Sequence, residues 1–233
     1  MRADVILSPG EYGLHELARK TAIVIDVFRF TTTVLTALEA GMERFFPVME
    51  IEEAWAMKER YPDYFLAGER QALRIPGFDF GNSPLEHHGK LYPGGMLVCS
   101  TTNGTRAIYG ARGSQEVVLA SLRSARAVAS YVQKQGRDVV MFPAGLKGTY
   151  SLEDTWCAGL IFSDLKPRNL GDGAKTARLV YEGIPLDQLR ASAHGERLQS
   201  LGLHDDLAFC LELNASSGVI VWDQESGWGA MAR

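Results

Sequence analysis

The sequence predicts an α/β fold, in which helices cover both faces of a largely parallel or mixed central sheet in a three-layer α/β/α arrangement. Short apolar runs bounded by Gly, Pro or Ser alternate with stretches of helical periodicity, which is typical of βαβ units. The length of 233 residues, 46% of them hydrophobic, suits a single domain covering residues 1–233. We expect its C-terminal part, from about residue 163, to be mostly helical.

Eight apolar runs have the length and composition of strands. They occupy residues 5–7, 22–27, 44–48, 64–67, 96–99, 117–120, 139–142 and 219–222. Most are rich in β-branched or aromatic residues and stop at a turn-forming residue. The sheet should therefore contain at least these strands.

Helical patterns fill the intervals. Five apolar residues recur at helical spacing, namely Leu122, Ala125, Val128, Ala129 and Val132. Ser83 before Pro84, with Glu86 as a capping-box partner, predicts a helix start, and Ser151 with Asp154 predicts another. Further helices are expected within 174–181, 186–201 and 205–213, and residues 166–173 are expected to form an exposed loop.

Composition excludes several classes of function. The 24 Lys and Arg residues against 28 Asp and Glu residues form no basic cluster, so a nucleic-acid partner is not expected. The sequence has neither the apolar run of a signal peptide nor one long enough to span a membrane, so we expect a cytoplasmic protein without membrane contact. Cys99, Cys157 and Cys210 lack the spacing of a zinc site or disulfide framework. The oligomeric state stays open, although a homodimer is common for small α/β enzymes.

Polar segments follow four of the predicted strands. They lie at residues 26–33, 68–83, 100–106 and 143–154, and they are rich in carboxylates, hydroxyls, arginines and glycines. In open α/β sheets, ligands bind outside the carboxyl ends of the strands. We therefore expect these segments to converge on one edge of the sheet.

Several of these residues are typical of an anion site. Hydroxyls and backbone N–H groups at a helix start cradle anions, and arginine binds phosphate, sulfonate or carboxylate in a bidentate manner. The predicted substrate-binding residues are Thr31, Thr32, Thr33, Asn82, Ser83, Thr101, Thr102, Asn103, Gly104, Thr105 and Arg106. The Gly145–Gly148 segment is too short for a P-loop, and the sequence lacks GxGxxG, HExxH and GxSxG motifs.

The carboxylates favour magnesium over zinc or copper, because they are hard oxygen ligands. The predicted metal ligands are Asp26, Asp79, Glu153 and Asp154. The predicted catalytic residues are Asp26, Arg29, Glu69, Arg70 and His194, the last as a proton donor. Structural alternatives stand beside these roles: Asp26 as a helix cap, Glu69 and Arg70 as a surface ion pair, and Glu153 and Asp154 as helix-start carboxylates. Residues 31–33 could equally be N-capping threonines, and His194 could be a structural residue.

Seven motifs, in order along most of the chain, carry a family resemblance. They lie at 26–33 (Asp-Val-Phe-Arg-Phe-Thr-Thr-Thr), 68–70, 77–84, 101–105, 151–154, 192–195 and 206–210. Together they resemble the 2-phosphosulfolactate phosphatase family. The resemblance implies a Mg²⁺-dependent hydrolysis of 2-phospho-3-sulfolactate to 3-sulfolactate and phosphate, a step associated with coenzyme M synthesis. Its substrate would be a small phosphorylated and sulfonated anion.

Two positions depart from the family pattern. Phe30 stands where the family usually has a small residue, and we expect it to reshape the pocket beside Arg29. Val219 and Ile220 stand in place of Val-Pro, which we expect to be peripheral. The sequence leaves open whether water attacks directly or an aspartate forms a phosphoenzyme. It also leaves open three rival functions: a non-catalytic small-anion binder, a phosphatase of another phosphorylated 2-hydroxy acid, and phosphoryl transfer to another acceptor.

Overall fold

The computed structural model describes residues 1–232, which form an eleven-stranded sheet with eight α-helices. The strands are β1 (Arg2–Val5), β2 (Thr21–Ile25), β3 (Met42–Pro47), β4 (Phe65–Arg70), β5 (Leu73–Arg74), β6 (Gly95–Ser100), β7 (Glu116–Ala120), β8 (Val139–Pro143), β9 (Asn169–Leu170), β10 (Ile220–Trp222) and β11 (Gly229–Met231). The helices are α1 (Phe30–Glu39), α2 (Ile51–Arg60), α3 (Gly104–Gly110), α4 (Ala125–Gln135), α5 (Leu152–Leu165), α6 (Asp172–Gly183), α7 (Ala193–Ser200) and α8 (His204–Cys210).

The sheet is mixed and has two parallel blocks. Its strand order is β5-β4-β6-β3-β11-β10-β7-β2-β8-β1-β9. Strands β4, β6 and β3 are parallel to one another, as are β7, β2, β8, β1 and β9. The hairpin β10–β11 joins the blocks through antiparallel pairings with β7 and β3. The α/β prediction is confirmed.

Apolar residues of β2 show why the sheet is covered on both faces. Ile23 and Ile25 pack with the helices α4, α5 and α6, whereas Ala22 and Val24 pack with α1 and α3. Successive side chains of a strand point to opposite faces, so an uninterrupted apolar run requires a core on each side. All five residues of β2 are buried. This central strand therefore ends in the interior of the protein and carries the residue that follows it, Asp26, there too.

Seven of the eight predicted strands lie where expected, whereas β1 covers Arg2–Val5 and shares only Val5 with the predicted residues 5–7. The prediction missed β5, β9 and β11, which have two or three residues each and whose pairing depends on distant partners. The predicted loop at residues 166–173 contains β9 and the start of α6.

The two predicted helix starts differ in outcome. Ser151 caps α5 as expected, since its hydroxyl accepts a hydrogen bond from the Asp154 amide at 3.3 Å. The prediction that Ser83 caps a helix is wrong, because Pro84–Glu86 is a single 3₁₀ turn. The Glu86 carboxylate accepts a hydrogen bond from the Gly81 amide rather than from the Ser83 amide. Ser83 donates its hydroxyl to a distant carboxylate, Asp206, at 2.5 Å.

Among residues 1–232, no helix combines the length and apolar character needed to cross a membrane.

Candidate active site

A pocket lies where segments from both parallel blocks meet. Eight predicted site residues line it: Asp26, Arg29, Glu69, Asn82, Thr101, Thr102, Asn103 and His194. Three successive antiparallel pairings separate β3 from β7, so the two blocks run in opposite directions. All four predicted polar segments contribute residues to this pocket, so their expected convergence is confirmed. The strands that precede them nevertheless belong to two opposed blocks of a mixed sheet rather than to one parallel block.

Asp26 follows β2 and is buried at the pocket wall. Its Oδ1 accepts a hydrogen bond from the Phe30 amide at 3.3 Å, whereas Oδ2 has no hydrogen-bond partner within residues 1–232. Burial raises the pKa of this carboxyl to about 6, although His194 and the Phe30 amide oppose the rise. The nearby carboxylates of Glu69 and Glu153 add to it, because like charges disfavour ionisation. Asp26 thus combines an unpaired oxygen with raised basicity.

His194 and Glu153 form a pair at the start of α7. Ser192 caps this helix by accepting from the Gly195 amide at 3.0 Å, which fixes the turn that carries His194. The His194 Nδ1 lies 3.1 Å from the Glu153 Oε1, and the Glu153 side chain is only 1% exposed. Burial would raise the pKa of Glu153, but the hydrogen bond and charge of His194 lower it. With Glu153 ionised, Nδ1 is the donor of this bond, and Nε2 is the ring atom left to exchange a proton.

Glu69 holds two loops with its carboxylate. Its Oε1 accepts from the Thr102 amide at 2.9 Å and its Oε2 from the Ala72 amide at 2.7 Å. These bonds join the end of β4 to the β6–α3 loop, which carries Asn103 into the pocket. Each carboxylate oxygen keeps a further lone pair. Glu69 can therefore position the loop and still accept a ligand.

The predicted arginines have three different environments. Arg29 lines the pocket, forms a buried ion pair with Asp206 and donates to the Ala72 carbonyl at 2.9 Å. Arg70 donates to the carbonyl of Glu69 at 2.8 Å and to the Ser100 hydroxyl at 3.0 Å, outside the pocket wall. Arg106 is exposed and borders a neighbouring cavity. Of these three arginines, Arg29 alone lines the pocket, and its charge is already compensated by Asp206.

The hydroxyls at the start of α1 point away from the pocket. Thr31 donates to the Asp26 carbonyl at 2.7 Å, Thr32 to the Val27 carbonyl at 3.1 Å, and Thr33 to the Arg29 carbonyl at 3.0 Å. These bonds satisfy the hydroxyls within the first helical turn. The structure therefore places all three threonines behind the site rather than around a ligand.

Other predicted residues also support the site from behind. The hydroxyls of Thr105 and Thr101 form a hydrogen bond of 3.2 Å, and Thr105 is fully buried. Gly104 begins α3 against Asp26, where a Cβ atom would lie 2.8 Å from the Asp26 Oδ2. Phe30 is 1% exposed, packs edge to face with Phe45 and contacts Gly104. The expectation that Phe30 shapes the pocket is wrong, because its ring lies in the core.

Three predicted metal ligands, Glu153, Asp154 and Asp79, are not part of the pocket wall. Asp154 accepts from the amides of Val27 at 2.8 Å and Gly145 at 3.2 Å, so it ties β2 to the β8–α5 loop. Burial, followed by the charges of its carboxylate neighbours, raises its pKa well above the ordinary range. Asp79 accepts from the Leu66 amide at 2.8 Å near the start of β4, and it does not line the pocket. In the described part of the chain, no three His, Cys, Asp or Glu side chains form a metal-binding group.

The sequence interpretation missed six residues that line the pocket. They are Phe28, Gln71, Ala72, Leu146, Lys147 and Arg197. Lys147 lies in the polar segment 143–154, which follows a predicted strand, so its position in the sequence could have identified it as a site residue. Arg197 lies three residues after His194, which places both on one face of a helix. The family motif at 206–210 begins with Asp206, but the sequence interpretation did not identify this residue as the ion-pair partner of Arg29.

Known proteins match nearly the whole chain. The sequence profile of the family described as 2-phosphosulpholactate phosphatase matches residues 6–225. A protein of Clostridium perfringens (strain SM101 / Type A), named "Probable 2-phosphosulfolactate phosphatase", is 39% identical over 92% of this chain and 90% of its own. A protein of Symbiobacterium thermophilum with the same name is 42% identical over 85% of this chain and 89% of its own. The chain therefore belongs to the 2-phosphosulpholactate phosphatase family, whose named members are phosphoric monoester hydrolases.

Proposed function

We propose that this chain hydrolyses 2-phospho-3-sulfolactate to 3-sulfolactate and phosphate. The observation that carries the proposal is a pocket in which the buried Asp26 carboxylate lies within electrostatic range of the His194–Glu153 pair. Relatives similar over most of their length bear the name of this phosphatase. An acidic group and a proton donor in one concave site are what hydrolysis of a phosphate ester requires.

His194 is the proton donor in this mechanism. When water attacks phosphorus, the bond to the bridging oxygen breaks and that oxygen becomes an alkoxide, which needs a proton. The imidazolium of His194 supplies it from Nε2, while Glu153 holds Nδ1 and stabilises the positive charge. The three cysteine thiols are buried, and burial raises their pKa, so they are not nucleophiles.

Asparagine and threonine side chains orient the ester. Asn82, Thr101 and Asn103 line the pocket and offer amide and hydroxyl donors to anionic oxygens. Arg29 adds a guanidinium whose orientation is fixed by Asp206. These groups are held before substrate binds, so little reorganisation accompanies the reaction.

Asp26 and Glu69 are the residues that would hold a magnesium ion. They are the two carboxylates that line the pocket, and Asp26 has an unpaired oxygen. This donor set fits Mg²⁺, which prefers oxygen ligands and binds through one or two carboxylates together with water and phosphate. The ion would neutralise charge on the phosphoryl group.

Phosphate release from a panel of esters tests the proposal. Purified protein with Mg²⁺ is incubated with phosphosulfolactate, phospholactate and phosphoglycerate, and inorganic phosphate is measured. We expect the highest kcat/KM with phosphosulfolactate. A preference for another ester would support phosphatase activity but contradict the proposed substrate. No phosphate release from any of the three esters would contradict the proposed function.

The origin of the attacking oxygen has its own test. A single turnover in ¹⁸O-labelled water, followed by mass analysis of phosphate and protein, is expected to place the label in phosphate only. Label in an aspartate of the protein would instead show that a phosphoenzyme forms and is hydrolysed at its carboxyl.

A further inference from the structure

Charge in the pocket is poorly matched to a substrate with several anionic groups. Asp26 and Glu69 bring negative charge to the wall, and the positive charge of Arg29 is paired with Asp206. The proposed substrate carries a phosphate, a carboxylate and a sulfonate. A divalent cation bound to these two carboxylates would offset part of this charge. Binding of the substrate would still require positively charged side chains that are not already paired with a protein carboxylate.

Lys147 and Arg197 are pocket cations that no protein carboxylate compensates within residues 1–232. Both line the pocket, Lys147 from the β8–α5 loop and Arg197 from α7. Neither side chain has an ion-pair or hydrogen-bond partner within residues 1–232, in contrast to Arg29. Lys147 is exposed, whereas Arg197 is half-buried. Arg197 is therefore the uncompensated cation whose environment is more enclosed.

Arg197 enters the pocket from a different element than Asn82, Thr101 and Asn103 do. It follows His194 by three residues on α7, so both side chains face the pocket from the helix rather than from the strand ends. His194 must reach the bridging oxygen, which joins the phosphate to the carbon skeleton. A neighbour three residues along the same helix face has its Cβ about 5–6 Å from that of His194, which is close enough to contact substituents of the carbon skeleton.

We propose that Arg197 is a specificity-determining residue that binds the sulfonate of the substrate, with Lys147 adding unspecific positive charge. A guanidinium presents paired donors that match two oxygens of a sulfonate, whereas an ammonium is a point charge. This inference rests on the proposed function and adds to it the residue that distinguishes a sulfonated ester from an unsulfonated one.

Arg197→Gln tests the inference with two substrates. For phosphosulfolactate we expect KM to rise about tenfold or more, with kcat changed less than about threefold. For phospholactate, which lacks the sulfonate, kcat/KM should change less than about threefold. Arg197→Lys should recover only part of the loss, since the paired donors are missing. Arg190→Gln is the matched control, because Arg190 is also half-buried and lies outside the pocket wall.

Equal losses of kcat/KM on both esters, or no loss on either, would overturn the inference. A separate binding measurement distinguishes its failure from failure of the proposed function. Calorimetry with 3-sulfolactate and with lactate needs no turnover, and Arg197→Gln should weaken 3-sulfolactate binding about tenfold. If the wild-type protein hydrolyses no ester, that calorimetric loss still supports the sulfonate site, and its absence refutes it.

Discussion

The ion pair between Arg29 and Asp206 is the buried interaction whose removal has the most predictable cost. Both side chains are 4% exposed, and the second oxygen of Asp206 accepts the Ser83 hydroxyl at 2.5 Å. Asp206→Asn keeps the side-chain shape and an acceptor oxygen, but it removes the negative charge that compensates the buried guanidinium of Arg29. Removing one partner of a buried pair costs about 3–5 kcal/mol of unfolding free energy.

The expected change in melting temperature follows from the size of the chain. At about 2–4 °C per kcal/mol for this length, Asp206→Asn should lower Tm by roughly 6–20 °C in thermal unfolding followed by circular dichroism. Asp205→Asn is the control, because Asp205 is the adjacent exposed carboxylate, and its effect should stay within about 0.5 kcal/mol. A Tm for Asp206→Asn that equals the Tm of the control would refute the reasoning.

A double variant separates the loss of the pair from the loss of packing. Arg29→Met with Asp206→Leu replaces both charges by apolar groups, so no uncompensated charge stays buried. We expect this variant to be more stable than Asp206→Asn, because replacing both partners avoids the desolvation penalty of the single change. Urea unfolding midpoints of the three proteins provide the comparison.

Three further variants probe other parts of the account. Gly104→Ala should lower kcat/KM at least about tenfold, since its Cβ would clash with the Phe30 Cδ1, lie 2.8 Å from the Asp26 Oδ2 and displace both side chains; steady-state kinetics measure this. His194→Gln should lower kcat for the alkyl ester by about 10²-fold or more, but much less for an aryl phosphate whose leaving group needs no proton. His87→Phe should remove a loss of stability at acidic pH. Burial lowers the pKa of His87 from 6.5 to about 4, so on acidification the unfolded chain binds a proton before the folded protein does. The free energy of unfolding of the wild type therefore decreases as the pH is lowered past 6.5. Urea unfolding at pH 7 and pH 5 should show the wild type losing about 2 kcal/mol more than the variant.

Each of these predictions has a control and a contradicting result. Gly13→Ala matches Gly104→Ala, because a Cβ at Gly13 meets no atom within 4 Å; similar kinetics of the two variants would contradict the close approach to Asp26. Equal losses on alkyl and aryl esters would remove the proton-donor role of His194. His88→Phe is the control for His87→Phe, because His88 is exposed. If the free energy of unfolding of the wild type and of His87→Phe depended on pH in the same way, the stability would not be linked to protonation of His87.

Local patterns predicted most of the fold. The apolar run that forms β2 and the periodic residues of α4 are readable because burial follows the chain's own period of two or 3.6 residues. The order of the strands was not readable in the same way. The hairpin β10–β11 separates two opposed parallel blocks, and that arrangement depends on pairings between residues more than a hundred positions apart.

The site was predicted in part for a related reason. Asp26 and Thr102 follow strands, so topology alone brings them near the pocket. Hydroxyls such as that of Thr31 were misread, because a threonine in a first helical turn can satisfy its own backbone as readily as a ligand. Asp206 and Arg197 lie on helices far along the chain, and nothing in their local sequence indicates where those helices pack.

The most direct test of the central claim is phosphate release from phosphosulfolactate by wild-type protein and Asp26→Asn, each with Mg²⁺ and with EDTA. The account predicts turnover by the wild type with Mg²⁺, loss of that turnover with EDTA, and a kcat for Asp26→Asn reduced at least about 10²-fold with the fold retained by circular dichroism. Turnover by a folded Asp26→Asn protein at the wild-type rate would contradict the claim that this pocket is the active site.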